Sequence, residues 1–154
     1  MTMTTEIRRV NYRDILDAPN AQQLIDEYGA ECSIPLIGKI DQQPQIYAAL
    51  EAAGIFHCFG VYAGDELVGF ASILASVLPH YGQKVASVES LFLASAYRPG
   101  CTGKALMAAI ESHARLLECV AIVYTAPINS ALAMVLLATK PYALTNAVFC
   151  KRLA

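Results

Sequence analysis

"AYRPGCTGKAL", Ala96 to Leu106, joins an apolar run, "SVESLFLAS", to a helix-like run, "KALMAAIESHARLLE". Between them lie a proline, two glycines, a cysteine and a threonine. Two readings of this turn are open. On the first, the glycines only solve a steric problem where strand meets helix. Alternatively, the turn is an anion cradle. A helix starting near Gly103 offers unpaired N–H groups in its first turn, and its dipole adds partial positive charge there. Gly100 and Gly103 let the backbone approach a ligand, while Arg98 and Lys104 add full charge. The lead-in strand and the amphipathic lead-out favour a phosphate or pyrophosphate cradle spanning Arg98, Pro99, Gly100, Cys101, Thr102, Gly103 and Lys104. A P-loop is excluded because no GxxxxGK[ST] occurs. A dinucleotide fold is poorly supported because no intact GxGxxG precedes an acidic residue after the next strand.

Working outward, the helix over 104–118 places Leu106, Ile110, His113 and Leu117 on one side, with Glu111 and Arg115 spaced to pair on the other. "CVAIVYTAP", residues 119–127, reads as a strand buried on both faces, as in a parallel pair. "NSALAMVLLAT" is a helix with Asn129 as N-cap, stopped by Pro141. "YALTNAVFCKRL" reads as one or two short terminal strands. Upstream, "EIRRVNY" alternates as a first strand. "RDILDAPNAQQLIDEYGAEC" is helical but broken near Pro19, and "SIPLIGKIDQQP" is a loop. "QIYAALEAAG" is a helix ending at Gly54. "IFHCFGVY" and "LVGFASILASVL" form a hairpin through Gly64-Asp65, and "PHYGQK" leads to the strand over 88–95. The order predicts an α+β domain over residues 1–154. It has a mixed, mostly antiparallel sheet, one right-handed parallel β-α-β crossover and helices on both faces.

Composition narrows the function classes. The hydrophobic fraction is 56% and the charged fraction 16%, which argues against disorder and leaves apolar surface for a homodimer. The net charge is −2 with no long run of Lys or Arg, so no nucleic-acid face is expected. The longest apolar stretches, 68–78 and 131–138, fall short of the roughly 20 residues a membrane helix needs. "MTMTTEIRRV" lacks the apolar core of an export signal. Five widely spaced cysteines without a CxxC pair point to free thiols in a reducing cytoplasm. No His/Cys/Asp spacing points to a metal.

The turn resembles the phosphate-binding motif of the GNAT superfamily of acyl-CoA N-acyltransferases, Gln/Arg-x-x-Gly-x-Gly/Ala, matched here by Arg98-Pro99-Gly100-Cys101-Thr102-Gly103. The resemblance continues in order through "ELVGFASI", "ESLFLASAYR", "KALMAAIE", "INSALAMVLL" and "KPYALTNAVFCKRL". It implies an α/β/α-layered fold whose two parallel central strands splay apart. It further implies acetyl-CoA as co-substrate and an N-acetyltransferase acting on a primary amine by direct attack. Pantetheine would bond the edge of the strand at Leu91, Phe92 and Leu93, with a backbone N–H near Leu93 facing the thioester carbonyl. Asn129 joins the cofactor set. Two departures stand out. Cys101 occupies the place of the first motif glycine, with Gly100 shifted one residue upstream. Leu136 and Leu137 stand where many members carry a leaving-group Tyr, leaving Tyr142 and Tyr124 as the nearest tyrosines. These departures keep a second reading open, a catalytically silent GNAT-fold module that binds CoA or a protein partner.

Glu89 is the candidate base. It is expected on one strand face with Leu91 and Leu93, where burial would raise its pKa. The alternative is a carboxylate at the solvent end of the strand, or one held in an ion pair. Tyr142 is the candidate acid. His113 and His57 read as packed structural histidines. His80 and Tyr81 read as solvent-exposed, though placed for acceptor contact.

Overall fold

The computed structural model describes residues 4–153. Residues 1–3 and 154, which belong to the expected 1–154 domain and to the N-terminal reading, lie outside the described residues. The chain runs β1 (Thr5–Val10), α1 (Tyr12–Leu16), α2 (Ala21–Cys32), α3 (Pro44–Ala52), β2 (Phe56–Ala63), β3 (Glu66–Leu78), β4 (Gln83–Leu93), α4 (Thr102–Leu116), β5 (Ala121–Val123) and α5 (Ala131–Ala138). A single 3₁₀ turn, Ser95–Tyr97, follows β4. The sheet order is β1-β2-β3-β4-β5. The first three pairings are antiparallel, and β4 and β5 are parallel. This is the mixed sheet expected from the sequence.

Local chemistry accounts for the elements. Pro19 separates α1 from α2, and Pro44 opens α3 at a position where its missing N–H costs nothing. Gly54 follows α3 with φ +70, and Gly64 supplies φ +61 in the two-residue turn between β2 and β3. On α4, Leu106, Met107, Ile110, His113 and Ala114 are buried, which is the apolar stripe of the helical period.

Two cores sandwich the sheet. On one face, Val61, Val68, Ile73 and Leu93 pack against Leu106 and Ile110 of α4. On the other, Phe56, Phe70 and Phe92 pack against Tyr12 and Ile15 of α1 and Leu24 of α2. Helices therefore cover both faces.

Three expectations are corrected here. β5 is three residues long, and Ala121 and Val123 are exposed, so it is not a strand buried on both faces. It forms the sheet edge because residues 139–153 make no strand among the described residues, and the expected terminal strands are absent. Asn129 is not the N-cap of α5. Ser130 is, its hydroxyl accepting from the Ala133 N–H at 3.1 Å, while Asn129 takes φ +63 just before it. Asn is among the few non-glycine residues that tolerate that region.

His57 of β2 and His113 of α4, both buried, meet as tilted rings with centroids 4.7 Å apart. His57 Nδ1 lies 3.2 Å from Arg9 Nη2 and 3.1 Å from His113 Nε2, while His57 Nε2 lies 3.0 Å from the Gly54 carbonyl. Arginine can only donate, so His57 Nδ1 must be the acceptor. Its Nε2–H then donates to Gly54, and both rings are neutral. Burial lowers the pKa of His57. Burial, then the charges of Arg9 and His57, lower that of His113 to about 4. In the unfolded chain both titrate near 6.5. Below that pH the unfolded state binds more protons, so stability falls as pH drops from about 6.5, and the share of His113 levels off below about 4. Melting temperature is expected to decline over this window, and His113→Gln to flatten the decline. Equal melting temperatures at pH 7 and pH 5 would overturn this assignment.

Candidate active site

The site is made by two departures from regular pairing in β4. The first is on its β5 side. β4 and β5 pair only at Val85↔Ala121, Ala86↔Ile122 and Ser87↔Val123, after which β5 ends while β4 continues to Leu93. The edge of β4 beyond Ser87 thus has no strand neighbour among the described residues. The Ala94 N–H bonds the Val68 carbonyl at 2.9 Å. By the alternation of an antiparallel ladder, Phe92 and Ser90 direct their backbone groups to β3, and Leu91 and Leu93 direct theirs into the gap. In agreement, the Leu93 carbonyl accepts from Arg98 Nε at 2.7 Å rather than from β3.

The second departure is a β-bulge. Ser72 pairs with Ser90 and Ile73 with Val88, so Glu89 has no partner on β3. Val88, Leu91 and Leu93 pack towards α4. Glu89 and Ser90 instead both line a cavity on the opposite face. This corrects the expectation that Glu89 shares a face with Leu91 and Leu93. Glu89 is also exposed, so the burial expected for it is not met.

The cavity measures about 120 Å³, and its wall includes Tyr12, Tyr28, Tyr47, Phe56, Phe70 and Glu89. Tyr47 donates to Glu89 Oε1 at 3.1 Å, and Ser72, which is 1% exposed, donates to Oε2 at 2.7 Å. Ser72 and Ser90 hydroxyls are 2.6 Å apart. Tyr47 stacks on Tyr12 with ring centroids 3.8 Å apart. Burial, then the Glu89 charge, pushes the Tyr47 hydroxyl up to about 12, and burial raises Tyr12 and Tyr28 as well. All three keep their protons at neutral pH, and Tyr47 stays a donor to the carboxylate. Cys58, also in the wall, is pushed up to about 12 by burial and is not a nucleophile at neutral pH.

At the far end of the β4 edge lies the glycine turn. Cys101 is exposed, with φ −106, and Gly100 takes φ +98, so the shifted glycine absorbs the left-handed dihedral as expected. α4 starts at Thr102, one residue before Gly103, and has no side-chain N-cap. A Cβ on Gly103 would meet nothing within 4 Å. The protein's own packing does not demand that bare backbone, which fits a surface left open for a ligand. The turn therefore fits an anionic group. Arg98 is engaged elsewhere. Its Nη2 donates to Glu31 of α2 at 2.7 Å, and its guanidinium lies 5.5 Å from the Phe92 ring centroid. Arg98 ties the turn to the end of β4 and to α2. Lys104 is exposed on the first turn of α4.

The structure does not bring Tyr142 to Glu89. The Tyr142 hydroxyl donates to Glu111 Oε1, as does Tyr124 at 2.9 Å, both on the α4 side. Burial and that bond push Tyr142 up to about 12. Glu111 lies 3.9 Å from Arg115 as expected, but is the less exposed partner because the tyrosines cover it. Asn129 is exposed before α5. His80 and Tyr81 sit at the tip of the β3–β4 hairpin, outside the cavity wall. Ile40 and Gln42 of the breaker-rich loop do line the cavity. Sequence reasoning missed Tyr12, Tyr28 and Tyr47, because a tyrosine on a helix carries no local mark that separates a core ring from a site ring, and Ser72, whose contact with Glu89 exists only across the β3–β4 pairing. Among the described residues no group of His, Cys, Asp and Glu is placed to hold a metal ion, and no helix is long and apolar enough to cross a membrane.

No curated protein matches this chain significantly in sequence. Solved structures do match its fold. An aminoglycoside acetyltransferase from an uncultured soil metagenomic sample, in complex with trehalose, superposes with a TM-score of 0.73 at 16% identity, covering 96% of this chain and 94% of that one. A ribosomal-protein-alanine N-acetyltransferase from Brucella melitensis biovar Abortus 2308 gives 0.72 at 17% identity, covering 98% and 100%. A GNAT family acetyltransferase from Staphylococcus aureus subsp. aureus USA300_TCH1516 gives 0.71 at 15% identity, with 98% and 100% covered. At these identities the likeness establishes the fold. The sequence profile described as "Acetyltransferase (GNAT) family" matches residues 21–135, a span that contains α2, α3, the bulged β4, the glycine turn and α4. Together with the parted strands and the bare helix start, that match settles the family: the chain belongs to the GNAT acetyltransferases.

Proposed function

We propose that this protein transfers an acetyl group from acetyl-CoA to a primary amine held at the Glu89 cavity. The observation that carries the reading is the open β4 edge, which runs from the bulge at Glu89 to the unpaired amides of the α4 start. When bound, acetyl-CoA supplies a thioester carbonyl that an amine can attack. The backbone of Leu91 and Leu93 presents N–H groups in the gap, where an extended chain can add as a strand. The Leu93 N–H stabilises developing negative charge on a carbonyl oxygen. The amides from Gly100 to Lys104 cradle a pyrophosphate; Pro99 has no N–H, and the Arg98 N–H bonds the Ser95 carbonyl. Glu89, oriented by Tyr47 and Ser72, holds the incoming ammonium and accepts its proton, directly or through water. α5 offers no acid, and a thiolate leaves tolerably without one. The free cysteines support a reducing cytoplasm as the setting.

Thermal denaturation with CoA tests the reading. At free ligand about a hundredfold above the dissociation constant, linkage adds about 2.7 kcal/mol. For a chain of this size that is a rise of about 5–10 °C. Arg98→Ala is expected to weaken CoA binding by freeing the turn from Leu93 and Glu31. No melting shift at millimolar CoA would remove the reading. CoA binding without thiol release against any amine would establish the silent binding module instead.

The proposal includes pairing of two copies through the C-terminal segment. Leu144, Val148, Phe149 and Leu153 are 77% to 92% exposed, and the last strand of the sheet, β5, has no outer neighbour among the described residues. Each copy thus carries exposed apolar side chains and a strand edge without a neighbour among the described residues, a self-complementary set. Light scattering is expected to give a dimer for the parent and a monomer for Phe149→Glu. A monomeric parent rejects the pairing.

A further inference from the structure

The cavity beneath Glu89 carries more than the placement of a base. Its wall holds five aromatic residues and a single carboxylate, with no Lys or Arg. We infer that the acceptor is a monoamine on a compact apolar or aromatic skeleton, its ammonium against Glu89 and its carbon body between the rings of Tyr47, Tyr28 and Phe70. This rests on the acetyltransfer reading above.

Three observations carry it. The first is charge. Glu89 is the only acidic side chain in the wall, so one ammonium is compensated, and a second would meet rings and the neutral Gln42, Ser72 and Ser90 but no countercharge. A cation–π contact offsets part of the desolvation of a charge but not the cost of an unpaired buried one. The second is size. About 120 Å³ compares with the roughly 150 Å³ apolar cavity that accepts a benzene. A multi-ring aminosugar could place at most one ring in such a space. The third is an orphan. Tyr12 lines the cavity, is 7% exposed, and its hydroxyl is the buried side-chain polar atom left without a hydrogen-bond partner among the described residues. Such a group is costly unless satisfied, and one polar atom on an otherwise apolar acceptor would satisfy it.

The same chemistry occurs in a free arylalkylamine and in a peptide with an aromatic first residue. The test therefore compares phenethylamine, tyramine and a Phe-Ala-Ala peptide with spermidine and sisomicin. Two readouts are taken: kcat/KM with acetyl-CoA, and calorimetric binding to the CoA-loaded protein. The aromatic monoamines are expected to exceed spermidine and sisomicin by about tenfold or more in both. A peptide that outruns phenethylamine assigns the source as a peptide N-terminus, and the reverse assigns a free amine. Ile40, on the exposed loop at the cavity, allows a gain of function. Ile40→Asp adds a second carboxylate and is expected to move the spermidine-to-phenethylamine ratio towards spermidine by about tenfold, with CoA affinity unchanged. Equal or better use of spermidine or sisomicin by the parent overturns the inference while acetyltransfer stands. Where no amine turns over, acetyltransfer fails, and calorimetry still decides. Binding of phenethylamine no tighter than spermidine overturns the inference independently.

Discussion

Glu89→Gln is expected to lower turnover by about a hundredfold or more while leaving CoA affinity unchanged. The amide keeps the shape of the carboxylate. Its oxygen still accepts from Tyr47, and its NH₂ can donate to Ser72, whose hydroxyl turns to suit. What it loses is the capacity to take a proton and the charge that attracts an ammonium. The loss should be steepest at low pH, where the acceptor is most fully protonated, and should shrink as free amine becomes abundant. Because Glu89 sits on a bulge, with no ladder partner to disturb, the variant should fold as the parent does. Initial rates from pH 6 to 9, with calorimetry of CoA, check both halves. Unchanged turnover across that range would remove Glu89 from the chemistry and leave a water chain or free amine in its place.

Gly69→Ala is expected to damage fold and cofactor edge together. Gly69 pairs with Leu93 across β3 and β4. A Cβ there would lie 2.7 Å from the Phe92 carbonyl oxygen and 2.8 Å from Leu93 Cδ1. The first obstacle is backbone, which cannot swing aside, so β4 must shift at the residue whose N–H faces the gap. Overpacking of this kind costs about 1–3 kcal/mol, more than the few tenths to 1 kcal/mol that replacing a glycine recovers from the unfolded chain. A fall in melting temperature of several degrees and weaker CoA binding are expected together. Gly60→Ala is the control. Its Cβ would meet the Tyr62 ring at 2.6 Å, a side chain able to move, and the loss should be smaller. A Gly69→Ala protein as stable as the parent would show that the edge has slack.

What the sequence determined by itself was everything encoded within a few residues. The Gly64-Asp65 hairpin, the stop at Gly54, the apolar stripe of α4 and the shifted glycine beside Cys101 each follow from local backbone preference or helical period, and each is found. The order of these elements was enough to predict a mixed sheet with one parallel crossover. Tertiary structure decided the rest, because it depends on register and on segments distant in the chain. Strict alternation puts Glu89 with Leu91 and Leu93. Only the mismatch with β3 turns it to the other face, and a mismatch belongs to two strands, not one. Tyr47 reaches Glu89 across 42 residues, and His113 reaches His57 across 56, so neither contact leaves a local trace. The terminal run looked like strand because its residues favour extended backbone, yet a strand is defined by a partner, and the described fold supplies none.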